Sequence, residues 1–459
     1  MHSGGISMQS RSFGMFVDYV QRFTIITADG QVRQVRKPDP DHPDQDNDDI
    51  FWAVLGGGPG SFGIVTQVTM RLLHNDDFPE SLAYMQSYLW TRKSGQKIAQ
   101  ALFALMARIS DEDKLPADFC LNISQVSAAP KYFSFRKIVA DAARTAGALL
   151  EQALEKQIRM RAQGSLRSLC RGTLATYRRL FGSANGRNPL FEASMVPAII
   201  VQATWNNLSG RRQDYDDSVR AYFAELDAAA LPFLPSGVLG RWLQGATKVL
   251  SPSKHMPITE IIDAFTFKGE REFDMPFIKR NWAGYETDLS KRGFSHEAAK
   301  LFSNFTHSRF SPDQRAWQGS AVVCGCGYLG GSQSKVGLYA KPSGTSMPHR
   351  QSRIAWMSDY YYAPEMPGAY ERLVAWVKDY DRRVVGSPSA FFCERDARNM
   401  FDPFDTESDE NGFLPPDLSK LHEHFYDSPE DYARLQAIKK RFDPDGIFSA
   451  TRFTVDPAK

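Results

Sequence analysis

Residues 47–73 read NDDIFWAVLGGGPGSFGIVTQVTMRLL, and three signals follow one another in that stretch. Ile50 to Leu55 is an apolar, helix-compatible run preceded by acids, which sit well where a helix dipole favours negative charge. Gly56-Gly57-Gly58-Pro59-Gly60 then ends the helix, and closely spaced glycines let backbone approach a ligand or a neighbouring segment. Phe62 to Met70 is apolar and β-branched, which predicts a buried strand. The order is helix, glycine loop, strand. It fits neither the dinucleotide fingerprint, which needs strand-loop-helix context, nor the P-loop, since no Gly-Lys-Ser/Thr follows.

Toward the N-terminus the chain opens on a second glycine cluster, Gly4-Gly5-Ile6, with Gly14 soon after. Tyr19 to Thr27 is β-rich, Asp29-Gly30 supplies a two-residue turn that needs positive φ, and Gln31 to Val35 returns as a partner strand. Lys37 to Asp49 is a polar, acidic loop of the solvated kind. Toward the C-terminus, from about residue 80 to 385, helical and β-rich segments alternate. Ile138, Ala142, Ala146, Leu149 and Ala153 mark one amphipathic helix, and Tyr370, Leu373, Val374 and Val377 another. Ala198 to Trp205 and Gln318 to Tyr328 read as strands, so a mixed sheet covered by helices is expected. Residues 402–417 form an acidic, proline-containing loop. Ser428 at N-cap, Pro429 at N1 and Asp431 at N3 open a last helix. Its apolar face runs through Leu435 and Ile438 to Phe442, and Asp443-Pro444-Asp445-Gly446 closes it.

At 459 residues, two domains are the default. With 42% hydrophobic and 24% charged residues, the composition is that of an ordinary globular protein. Fifty-five basic against 53 acidic side chains leave +2, without the clustered basic excess of a nucleic-acid or membrane-surface protein. No apolar run approaches the roughly 18 residues that span a bilayer. The first residues also lack the basic start and apolar stretch of a signal peptide, and the compartment is left open. Cys120, Cys170, Cys324, Cys326 and Cys393 are scattered and read as thiols rather than a disulfide framework, with Cys324-x-Cys326 in a strand and not a metal knuckle. Glu407, Asp409, Asn411 and Gly412 imitate a calcium loop, but the twelfth position is Leu418. His422 and His424 lack further zinc ligands, so no metal is expected. Tyr360, Tyr361 and Tyr362 read as packing residues.

The resemblance to a known family rests on four blocks in order. GGISMQSRSFGMFVDYVQRFTIITADGQV, residues 4–32, is similar to the GGGxGxLSRxxGLxxDxVxxxxVVTADG segment of flavoproteins with the vanillyl-alcohol-oxidase, or PCMH-type, FAD domain. Residues 47–73 resemble their DLFWALRGGGxGNFGIVTxxTxxL. Residues 330–350, GGSQSKVGLYAKPSGTSMPHR, resemble the substrate-domain strand leading to FPHR. Residues 425–448, FYDSPEDYARLQAIKKRFDPDGIF, resemble the closing YYGxNYxRLxxVKxxYDPxNxF of berberine-bridge-enzyme-like proteins.

What the resemblance implies is an α+β protein: the C-terminal half of a PCMH-type FAD-binding domain plus a mixed-sheet substrate domain covered by helices. The partial FAD-binding domain would span 1–80, the substrate-binding domain 81–400, and a closing segment at 401–459 would pack back on the FAD domain. FAD would be the cofactor. Gly4, Gly5, Ile6, Gly14, Asp18, Gly63, Ile64, Val65 and Tyr432 would contact it, and His349 and Arg350 would meet a small organic substrate. A hydride would pass from substrate to flavin and the electrons to molecular oxygen, in secondary metabolism, with no nucleic-acid or membrane partner. The family's upstream βα units, with their pyrophosphate loop and flavin-linked histidine, have no counterpart here, and His2 does not match that histidine. The resemblance therefore also implies an alternative, an N-terminally truncated, catalytically silent relative that binds FAD poorly. Asp431 and Gly446 stand where the family has asparagines, and Lys335 where many relatives have an acid. Ala397 and Met400 stand where tyrosines are expected, so no catalytic base is assigned.

Overall fold

The computed structural model describes residues 5–58, 60–90, 94–127, 198–234, 248–252, 255–265, 276–310, 320–340, 344–362, 367–385, 422, 426, 428–449 and 454–456. The expected helix at 138–153, the loop at 402–417 with its calcium-like residues, and Gly4, His424, Ala397, Met400, Cys170 and Cys393 lie outside them.

The N-terminal block builds a small sheet. A short helix α1, Ser10–Phe13, leads into β1, Val20–Ile26, which pairs with β2, Val32–Arg36, across a turn whose Gly30 has φ +75°. The expected hairpin is there. Helix α2 spans Gln45–Val54 and so begins ahead of the expected Ile50, because the Asp44 carboxylate accepts the Asn47 N–H and caps it. After the glycine loop comes β3, Ile64–Met70, antiparallel to β1, giving the order β2-β1-β3. β3 is not the buried strand expected: Ile64 is 56% and Val68 37% exposed. It lies at the end of the sheet, and β-branched residues suit a pleated surface whether or not anything covers it.

The larger unit begins with β4, Leu82–Leu89, α3, Gly95–Glu112, β5, Phe119–Ser127, β6, Ala198–Trp205, and α4, Asp217–Ala229. It continues with β7, Lys248–Leu250, α5, Ile258–Phe265, β8, Phe277–Gly284, and α6, Phe294–Phe310. It closes with β9, Ser320–Tyr328, α7, Lys335–Leu338, β10, Ile354–Tyr362, and α8, Ala369–Val385. The strands form one seven-stranded sheet in the order β7-β4-β6-β5-β9-β10-β8. The α+β class is as expected, but the described pairings are all antiparallel rather than mixed in direction. Residues 335–338 form a short helix where a strand is expected before Pro348-His349-Arg350.

Strand alternation decides what each face carries. Ile199, Val201, Ala203 and Trp205 of β6, with Ile354, Trp356 and Tyr360 of β10, pack under α3, α4, α6 and α8 in one core. Phe103, Phe302 and Trp356 interlock there with ring centroids 5.0–6.2 Å apart. Cys324 and Cys326 point into this core, and burial pushes both thiols up, so they read as packing groups. The opposite face of the sheet turns toward the small sheet.

The last helix, α9, Pro429–Phe442, starts as expected, with Ser428 Oγ accepting the Asp431 N–H at 3.1 Å. It returns to the N-terminal block. Arg434 and Arg441 both reach Asp49 of α2, at 2.8 and 2.7 Å, and Arg434 lies over the Trp52 ring at 4.1 Å. Lys439 is fully buried. Its Nζ donates to Asp443 at 2.5 Å, to the Ser61 carbonyl at 2.6 Å and to the Phe448 carbonyl at 2.9 Å.

Candidate cofactor and substrate site

Gly5, Ile6 and Ser7 form a partly exposed rim on a buried segment, Gln9 to Met15. Gly5 has φ +67°, and a Cβ there would fall 2.5 Å from Phe16 Cβ, so only glycine fits this turn. Below the rim, Arg11 is 1% exposed, and its donors all meet carbonyls. Nε reaches Gly330 at 3.0 Å, Nη1 reaches Phe119 at 2.8 Å and Pro116, and Nη2 reaches Leu115 at 2.6 Å. Burial pulls its basicity down, opposed by Cys120, Tyr328, Asp118 and Asp113 nearby. Gln9 Oε1 accepts from Thr204 at 3.0 Å and from Asn206 at 2.9 Å, Asn206 also donates to Ser12, and Asn122 donates to the Met8 carbonyl. This segment is thereby bolted to the large sheet.

Asp118 belongs to the turn that wraps Arg11. Burial is the chief cause that pushes its carboxyl up to about 6, and the Arg11 charge pulls the other way. A raised carboxyl pKa penalises the ionised fold, so this contribution is favourable below about pH 4 and is lost as pH rises through 6. Asp118→Asn should therefore stabilise the protein at pH 7.5, by up to about 3 kcal/mol at 1.36 kcal/mol per unit. The gain should vanish near pH 3.5. Thermal melts of both proteins at the two pH values check this, and an equal gain at both would show that charge is not the cause.

Asp18 and Arg350, one expected at the cofactor and the other at the substrate, are paired with each other. Arg350 Nη2 lies 2.6 Å from Asp18 Oδ1 and Nη1 3.0 Å from Oδ2, with the side chains 5% and 2% exposed. Asp18 also accepts the Met15 N–H at 2.7 Å, and Arg350 donates to Thr345 Oγ1 at 3.0 Å. Gly14 abuts this pair: a Cβ on it would lie 2.7 Å from Asp18 Oδ2. His349 is buried with φ +66°, and its Nδ1 meets the Tyr285 hydroxyl. The 345–350 loop packs against the glycine loop of residues 56–58, where a Gly56 Cβ would fall 2.3 Å from the Met347 nitrogen.

The remaining expected contacts gather on one core. Ile6, Val65 and Tyr432 pack along the rim of a cluster that includes Phe23, Phe51 and Leu435 together with Leu329, Met347 and Ala355 of the larger unit. Gly63 and Ile64 open β3 beside Ile26. Tyr432 stacks on His422 at 4.2 Å, and its neighbour Tyr426 donates to the Gly57 carbonyl at 3.2 Å.

The register of the large sheet also assembles a group that motif reading passes over. Across the face turned toward the small sheet, one buried row runs Met85, Gln202, Asn122, Gly327, Ala355, Ala283. The next runs Ser87, Ile200, Ser124, Gly325, Met357, Asn281, and the third Ala198, Val126, Val323, Asp359, Lys279. The middle of this face is small, with neutral amides and a hydroxyl beside it, and Asp359 stands half-buried at its far side with the Tyr361 hydroxyl 3.4 Å away. The signal was the period-2 pattern Ala355, Met357, Asp359, Tyr361, which means little until the partner strands are known. Among the described residues no group of three His, Cys, Asp or Glu side chains could hold a metal, and no helix is long and apolar enough to cross a membrane.

The family model "Berberine and berberine like" matches residues 412–452. The FAD-linked oxidoreductase easE of Aspergillus fumigatus is 34% identical over 143 residues, 29% of this chain and 21% of that protein. The FAD-linked oxidoreductase ZEB1 of Gibberella zeae is 43% identical over 68 residues, 15% of this chain and 11% of that one. Among solved structures, the xylooligosaccharide oxidase of Myceliophthora thermophila superposes with a TM-score of 0.55 at 13% identity, over all of this chain and 71% of that one. The carbohydrate oxidase of Microdochium nivale does so with 0.53 at 16%, over the same shares. The matched stretches are thus 21% and 11% of these curated relatives' length. The fold is that of these oxidases. The chain is thus similar to berberine-like FAD-linked oxidoreductases, through the family match at its C-terminal segment and these partial alignments.

Proposed function

We propose that the chain is an FAD-dependent oxidoreductase that holds a small organic substrate, an alcohol, sugar or secondary metabolite, at the partly exposed Gly325, Met357 and Asp359 on the sheet face turned toward the small sheet. The observation that carries this is the juxtaposition on that face of a small, neutral floor with one carboxylate, Asp359. The residues present fit a flat aromatic cofactor. Gly5 and Gly63 have positive φ, Gly5 to Ser7 leave backbone partly open, and Ile6, Val65 and Tyr432 line one apolar rim. In this reading Gly4, Gly5, Ile6, Gly63, Ile64 and Val65 hold the ring through backbone. Gly14, Asp18 and Arg350 set the loops around it, and His349 steers the substrate loop. Bound FAD would supply the hydride acceptor, with molecular oxygen taking the electrons afterwards. Asp359 takes the proton of the substrate hydroxyl as its C–H is oxidised.

The test is the visible spectrum of the purified chain with added FAD, before and after denaturation. The expected result is a flavin band that shifts on binding. A colourless protein that leaves FAD unperturbed would sink the active-enzyme reading. That outcome would favour the second one, a silent relative, for which the exposed edge strand β3 is the supporting observation.

A further inference from the structure

We propose that Arg11 is a positioning residue for the cofactor: it fixes the Gly5–Ser7 rim from below, through the large sheet, without touching the ligand. The inference rests on the FAD reading above. Its starting point is where the segment's bonds go. The side chains of Gln9, Arg11 and Ser12 find their long-range partners in the larger unit, namely Thr204, Asn206, Cys120 and the carbonyls of Leu115, Pro116, Phe119 and Gly330. The rim that would face the cofactor is therefore held by the unit that would face the substrate.

Arg11 dominates that attachment for two reasons. Its fork gathers three separate segments at once: the turn after α3, the start of β5 and the end of β9. Its charge is also buried among carbonyl dipoles and lies 5.5 Å from the Tyr328 ring centroid. Removing the guanidinium would take a donor from each of those carbonyls and weaken the attachment of the neighbouring segment. A lysine would keep the charge but could not span the three acceptor directions. The rim's own hydrogen bonds are local: the Phe16 N–H donates to the Gly5 carbonyl at 3.2 Å, the Ser7 N–H to Ser10 Oγ at 2.8 Å, the Gln9 N–H to Ser7 Oγ at 3.2 Å and the Ser10 N–H to the Ser7 carbonyl at 3.1 Å, while Ile6 packs on the apolar cluster.

The experiment compares wild type, Arg11→Met, Arg11→Lys and a core control, Leu226→Ala. Leu226 is a buried α4 residue on the far face of the sheet. FAD affinity is read by quenching of flavin fluorescence, well below the melting transition of each protein. Amide exchange of residues 6–14 is read in the apo protein. We expect Arg11→Met to weaken FAD by about tenfold or more, with faster exchange across 6–14, and Arg11→Lys to rescue little. Leu226→Ala should lower the melting temperature while leaving affinity within about twofold, less than half the tenfold step in free energy. Two results overturn the proposal: unchanged FAD affinity in Arg11→Met, or an equal loss in Leu226→Ala. If wild type itself binds no FAD, the functional reading falls and this one with it; if wild type binds and Arg11→Met binds equally, only this one falls.

Discussion

Replacing Asp359 by asparagine should slow reduction of the bound flavin by an oxidisable substrate on the order of 10²–10⁴-fold, the usual share of a general base. Asparagine keeps the size and the position on β10 but cannot accept a proton. Tyr361 and the floor residues Gly325 and Gly327 are untouched, so FAD titration should be unaffected. Anaerobic stopped-flow of wild type and Asp359→Asn, with a substrate found by screening alcohols and sugars, separates the two quantities. A rate within about threefold of wild type, far below a base's usual share, would remove Asp359 from the mechanism. Loss of FAD binding as well would instead make it a structural residue of the sheet.

Lys439→Met should destabilise the fold by about 3–5 kcal/mol, the range for breaking one side of a buried ion pair. Both partners are fully buried. Burial alone would raise the Asp443 carboxyl, but its bonds to Lys439, Phe448 and Ile447 outweigh this and hold it below the ordinary carboxylate value. Losing the ammonium strands that charge and also leaves the Ser61 and Phe448 carbonyls without their donor. The double variant Lys439→Met/Asp443→Leu should recover part of the loss because no charge is left buried. Recovery stays incomplete, since Asp443 also accepts the Ile447 and Phe448 N–H groups at 2.7 and 2.8 Å. Urea unfolding of the three proteins measures this. A single variant that costs less than about 1 kcal/mol would place the pair in the class of surface bridges.

Local chemistry was legible in the sequence and long-range placement was not. The Asp29-Gly30 hairpin and the Ser428 cap were readable because each depends on residues a few positions apart. The exposure of β3 was not, because IVTQVTM has the same pattern whether its edge is covered or bare. The pairing of Asp18 with Arg350 joins positions 332 residues apart, and each looked like a ligand contact when read in its own motif. Asp359 was hidden for a related reason. Its tyrosine-rich strand reads as packing, and only the register with β9 and β8 shows which residues share its face. Arg11 stands in a matched motif, but nothing there shows what it holds, since its acceptors are backbone carbonyls of other segments.

The return of α9 to α2 also has a kinetic meaning. Lys439 meets Ser61 across 378 residues, and Val455 meets Ser61 across 394, so these contacts are among the most non-local a chain of this length can make. At a synthesis rate of about 5–20 residues per second, the small sheet would leave the ribosome roughly 20–80 s before the strand of chain that completes its core. Until then Phe51, Val54 and Phe62 lack the Leu435 and Phe442 side chains that cover them. The core of the N-terminal block is thus completed only when the last helix arrives, and its apolar residues stay uncovered until then.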